Sequence, residues 1–103
     1  MKRITVIGST KYKEEIQKVQ HDLVLAGYFV YPIIVFSHAD NEDLSVDNMN
    51  HLREMKKMQI SECDVVYVVQ PNDTKLGEST RDEIQMAKEY DKVILINGEL
   101  LMR

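Results

Sequence analysis

The run Asp64-Val-Val-Tyr-Val-Val69 constrains this chain more than any other segment. After Asp64 it has no polar alternation, so it cannot be a strand with one wet face. It reads as a strand over 64–69 that is buried on both sides. Val93-Ile-Leu-Ile96, closed by Asn97-Gly98, reads the same way over 93–96. Near the start, Ile4, Val6 and Ile7 form a β-branched run that stops at Gly8-Ser9-Thr10 and predicts a strand over 2–7. Strands apolar on both faces need helices on both faces.

The intervening segments supply them. Ile16, Val19, Gln20, Leu23 and Val24 recur with helical spacing, and Gly27 follows as a stop, so 12–26 reads as a helix. Tyr28 to Val35 is β-rich but contains Pro32, which places that strand at an edge or bends it. Residues 36–47, FSHADNEDLSVD, form a long polar loop of the kind that often carries function. A second helix is predicted over 47–62. Its Met49, Leu52, Met55 and Met58, spaced at three, read as core or as part of a dimer face. Residues 70–76 read as a loop and 79–90 as a third helix, with Ile84, Ala87 and Tyr90 turned inward. The order β-α-β-loop-α-β-α-β predicts one α/β domain over 1–103, a small three-layer, doubly wound parallel sheet of four strands and three helices.

Charge and composition narrow the partners. Thirteen Lys+Arg against seventeen Asp+Glu leave a net charge of −4, a poor basis for binding nucleic acid, which depends on clustered cations. The single cysteine, Cys63, has no internal disulfide partner and fits a reducing compartment. The apolar run in MKRITVIG is too short for a signal peptide, and no stretch reaches the ~20 apolar residues of a membrane span. A cytoplasmic protein that acts on a small molecule is the expectation.

In a doubly wound sheet the ligand lies beyond the carboxyl ends of the strands, near the point where strand order reverses. Gly8-Ser9-Thr10-Lys11 is one segment there. Gly8 lets the backbone approach a ligand, and the hydroxyls and helix amides suit an anion. Neither the P-loop pattern nor GxGxxG is present, and Ser9 or Thr10 would serve equally as a helix cap. Leu76-Gly77-Glu78-Ser79-Thr80-Arg81-Asp82-Glu83-Ile84 is the other. A carboxylate at Glu83, beside a sugar, could attack an anomeric carbon. Thr80-x-x-Glu83 equally fits a capping box, which would fold Glu83 back on its own helix. If Ser79-x-x-Asp82 is the box instead, Glu83 is free. His38 with Asp40, Glu42 and Asp43 matches no metal-ligand spacing and reads as a solvated loop. His21 and His51 read as surface residues, and Cys63 as a small apolar filler.

Taken together, these residues resemble the nucleoside 2-deoxyribosyltransferase-like family, most closely its short bacterial and phage members. The resemblance rests on Val6-Ile7-Gly8-Ser9-Thr10, Gly27-Tyr28-Phe29-Val30, Val35-Phe36-Ser37-His38, Ile60-Ser61-Glu62-Cys63-Asp64, and Gly77-Glu78-Ser79-Thr80 with Glu83-Ile84 and Ala87, in that order over most of 2–96. It implies a flavodoxin-like sandwich, commonly dimeric, that cleaves or exchanges the N-glycosidic bond of a nucleoside or nucleotide. It needs no cofactor or metal. Glu83 would be the nucleophile. Gly8, Ser9, Thr10, Lys11, Gly77 and Ser79 would hold the substrate and its 5′-phosphate. The chain departs from the family at two places. Lys56 stands where active members carry an Asp, and residues 5–7, Thr-Val-Ile, lack the Tyr expected near the end of strand one. Lys56, able to bind phosphate or a carboxylate, then points to a different substrate. Alternatively, the chain is a nucleotide-binding module without turnover.

Overall fold

The computed structural model describes residues 1–101, the side chain of Asp73 excepted. In chain order the elements are β1 (Arg3–Gly8), α1 (Lys13–Leu25), β2 (Phe29–Tyr31), α2 (Val46–Glu62), β3 (Val65–Val69), a single 3-10 turn (Pro71–Asp73), α3 (Glu78–Glu89), β4 (Val93–Ile96) and β5 (Glu99–Leu100). The sheet order is β2-β1-β3-β4-β5, with β1 to β4 parallel and β5 antiparallel to β4. This is the flavodoxin-like order, whose reversal lies between β1 and β3.

The continuous apolar strands are buried on both sides, as their sequence requires. Val6 and Val69 face Ile16, with Val19 and Leu23 of α1 packed alongside. Ile7, Val66, Val68 and Ile94 face Ile60 and Cys63 of α2 and Ile84 and Ala87 of α3. One helix therefore covers one face and two cover the other. Cys63 is a core filler whose thiol donates to the Ile60 carbonyl at 3.3 Å. Among the described residues, no helix is long and apolar enough to cross a membrane.

Four expectations are corrected. Among the described residues the sheet has five strands, not four. Asn97 (φ 51°) and Gly98 (φ 86°) make a two-residue turn that folds Glu99–Leu100 back on β4, the hairpin that an Asn-Gly pair favours. Strand two is short, Phe29–Tyr31 rather than Tyr28 to Val35. The methionine stripe is not core: Met49, Met55 and Met58 are exposed. The inward line of α2 is Leu52, Lys56, Gln59, Ile60 and Cys63, and its two polar members hide it from a search for apolar spacing. Tyr90 caps α3 and is exposed rather than inward.

The early end of β2 has a specific cause. The Lys2 carbonyl accepts from the Phe29 amide at 2.9 Å, and the Arg3 carbonyl from the Asp64 amide at 2.9 Å. Even-numbered carbonyls of β1 thus face β2 and odd-numbered ones face β3, as a parallel ladder demands. The next rung would join the Ile33 amide to the Val6 carbonyl. Gln20 of α1 takes Ile33 instead: its Oε1 accepts from the Ile33 amide at 2.6 Å and its Nε2 donates to the Ile33 carbonyl at 3.2 Å. Pro32, whose missing N–H falls on the open edge, is tolerated there.

Candidate active site

Helix α3 starts at Glu78. Gly77 is its cap residue, with no side chain capping the end. Both capping-box registers are thereby overturned, because Ser79 and Thr80 lie inside the helix. Glu83 is not folded back on its own N-terminus. It falls on the inward stripe with Thr80, Ile84 and Ala87, and its carboxylate has no hydrogen-bond partner among the described residues. Burial drives its pKa from 4.5 up to about 7; the positive charge of Lys56 draws it down and Asp82 pushes it further up. A partly buried acid held near neutrality beside a switch point is the kind of group that active sites arrange.

Lys56 reaches the same end of β1 from α2. Its Nζ donates to the Val6 carbonyl at 3.0 Å, filling the rung that Ile33 vacates. Burial lowers its pKa from 10.5 to about 8, against the attraction of Glu83 and Cys63. Lys56 and Glu83 feel each other's charge without forming a direct ion pair among the described residues.

The other predicted residues divide into those near this pair and those turned away. Gly8 ends β1 opposite Val69, and a Cβ there would stand 2.9 Å from the Val69 carbonyl oxygen. Packing of β1 on β3 is enough to require this glycine. Gly77 differs: its φ of −71° is open to any residue, and a Cβ would meet nothing within 4 Å. Ser79 is exposed at the first turn of α3, where the first main-chain amides lack helical acceptors. Neither Ser9 nor Thr10 caps α1, whose cap residue is Tyr12 with no side-chain bond. The Thr10 hydroxyl pairs instead with His38 Nδ1 at 2.8 Å, tying the loop after β1 to the long loop after β2. Lys13 adds a second tie, to Asp40 at 2.8 Å. Lys11 lies over the Tyr12 ring and, with Tyr12, Lys13 and Asp40, lines a hollow of about 360 Å³ that neither Glu83 nor Lys56 borders. His21 and His51 are exposed, and Asp40, Glu42 and Asp43 form a solvated loop as expected.

Sequence reasoning missed the residues that brace the loop carrying α3. Asn97 Nδ2 donates to the Gln70 carbonyl at 2.7 Å while its Oδ1 accepts from the Gln70 amide at 2.9 Å. Gln70 Nε2 then donates to the Thr74 carbonyl, and Thr74 beside Tyr12 lowers that phenol's pKa. The signal for Asn97 lay in the Asn-Gly pair, read as a strand end only. Gln20 falls at one more position on a helical face, with nothing in its own segment to mark its partner.

No protein-family model matches the chain, and no curated protein matches it either. Among solved structures, it is similar to the CMP N-glycosidase BcmB of Clostridium botulinum. The TM-score is 0.64 at 22% identity, over 92% of this chain and 70% of that one. The fold implied by the sequence resemblance is therefore the fold this chain has.

Proposed function

We propose that the protein cleaves the N-glycosidic bond of a nucleoside or nucleotide, with Glu83 as nucleophile. One observation carries this reading: an uncapped, partly buried carboxylate with no hydrogen-bond partner among the described residues, at the switch-point end of the sheet. The likeness of fold to a CMP N-glycosidase supports it and supplies a substrate to try. In the reaction, a Glu83 carboxylate oxygen attacks C1′ and the C1′–N bond breaks. Its electron pair leaves with the base, which takes a proton from water. A second water attacks C1′ of the resulting ester, gives its proton to the hydroxide left by the first and frees the carboxylate. The first amides of α3, with Ser79 and Ser9, suit the 5′-phosphate. Gly77, which the fold does not require to be glycine, suits close approach of that group to the backbone.

The test is release of cytosine from CMP, followed chromatographically. Wild-type protein releases base and Glu83→Gln does not; equal rates in the two would end the proposal. One observation favours a second reading, nucleotide binding without turnover: Lys56, a cation, stands where active members of the resembled family carry an acid. Saturable binding of CMP with no base release over hours would select it.

A further inference from the structure

Lys56 has more hydrogen-bonding capacity than the fold uses. An ammonium carries three donors and no acceptor. Among the described residues, its Nζ donates only to the Val6 carbonyl, and no carboxylate stands within ion-pair distance of it. Two donors are left in a partly buried position, on the inward line of α2 between Leu52 and Ile60. That line and the inward stripe of α3 meet in one core, a buried cluster that includes Ile60, Ile84 and Ile7 of β1. Lys56 and Glu83 therefore flank the same end of β1.

The chemistry of the sugar fixes which of its groups Lys56 can serve. Glu83 attacks C1′ from the face opposite the departing base, so a group that flanks Glu83 meets the ring oxygen or C2′, whose hydroxyl lies on that face. A cation at the ring oxygen would oppose the positive charge that develops there as the glycosidic bond breaks. On the C2′ side it opposes less, and two donors meet an acceptor only if a hydroxyl is present. An Asp would accept a proton from such a hydroxyl, whereas a Lys can only donate to its oxygen.

We infer that Lys56 is the sugar-specificity residue, donating to the 2′-hydroxyl oxygen so that the site takes ribosyl over 2′-deoxyribosyl substrates. This rests on the glycosidase reading above and sharpens its substrate class. A 2′-deoxy sugar leaves the two donors unpaired, and losing a hydrogen bond to a charged group amounts to about 10- to 100-fold.

The experiment compares kcat/KM for base release from CMP and dCMP in wild type, Lys56→Met and Lys56→Arg. Wild type prefers CMP by about 10- to 100-fold. Lys56→Met loses the preference because the CMP reaction slows more than the dCMP reaction does. Lys56→Arg, which keeps donors, restores part of the preference. Equal Glu83-dependent cleavage of the two by wild type overturns the inference and leaves the glycosidase reading standing. An unchanged preference in folded Lys56→Met overturns it as well. If neither nucleotide is cleaved, the glycosidase reading fails, and the inference is decided by calorimetric affinity for the same pair. Tighter CMP in wild type, levelled in Lys56→Met, supports it; equal affinities in wild type overturn it. Should Lys56→Met fail to fold, the wild-type ratio together with Lys56→Arg decides.

Discussion

Replacing Glu83 by Gln should stabilise the protein, and only above a defined pH. In the folded state the carboxyl titrates at about 7, against 4.5 for its ordinary value, chiefly because it is buried. The folded state therefore holds this proton more tightly than the unfolded chain does. The resulting stability is fully present below pH 4.5 and is lost as pH rises through about 7. The interval corresponds to about 3 kcal/mol. Gln keeps the shape and has no proton to lose, so the variant does not follow this decline. Lys56 titrates at about 8 when folded and 10.5 ordinarily, so in the wild type it is charged in both states up to about pH 7 and enters only above that, where loss of the Glu83 charge in the variant lowers it further. Urea denaturation followed by circular dichroism at pH 4.0, 5.5, 7.0 and 8.5 reads the difference. The two proteins match near pH 4, and the variant gains about 3 kcal/mol by pH 7, on the order of 15 °C in Tm. A constant gap across the range would mean a solvated carboxylate and would refute the reasoning. A gap of opposite sign would mean that Glu83 is held ionised by Lys56.

Base release from CMP should rise through about pH 7 as Glu83 ionises and fall through about pH 8 as Lys56 loses its proton. The profile is narrow and bell-shaped, and a flat one would remove both groups from the reaction. Gly8→Ala places a methyl 2.9 Å from the Val69 carbonyl oxygen and costs about 1–3 kcal/mol in denaturation. Gly77→Ala leaves stability within about 0.5 kcal/mol but weakens nucleotide affinity, which a titration with CMP measures. Gln20→Ala removes both bonds to Ile33 and costs about 1–3 kcal/mol, with faster hydrogen exchange at the Ile33 amide. Exposed Met49, Met55 and Met58 on α2, with Ile34, lead us to expect a homodimer. Light scattering that gives a 12 kDa species at high concentration would exclude it.

Much of this architecture was legible because burial on both faces leaves its own pattern. Val65 to Val69 and Val93 to Ile96 carry no polar alternation, and they are central strands of the parallel sheet. What escaped was decided by polar side chains in apolar positions. Lys56 and Gln59 interrupt the inward line of α2, so the exposed methionines made the better-looking stripe. Gln20 ended β2 from another element, which no local reading of Tyr28 to Val35 reveals. The cap of α3 was undecidable between two hydroxyl registers, and the structure uses neither. Glu83 was legible as a residue, whereas its freedom from the cap was not.

The divided rung links these misses to the site. Completing the ladder would join the Ile33 amide to the Val6 carbonyl and extend β2 toward the carboxyl end of the sheet. Gln20 from one face and Lys56 from the other take one partner each. The buried carbonyl stays satisfied, as it must, while the strand turns aside and releases the long loop that His38 and Asp40 then pin over the start of α1. A carboxylate at position 56 could not do this, because a carbonyl needs a donor. The lysine thus holds the sheet end while its remaining donors stay beside Glu83. That explains how a buried cation persists there, and why its removal must be tested for fold and sugar preference separately.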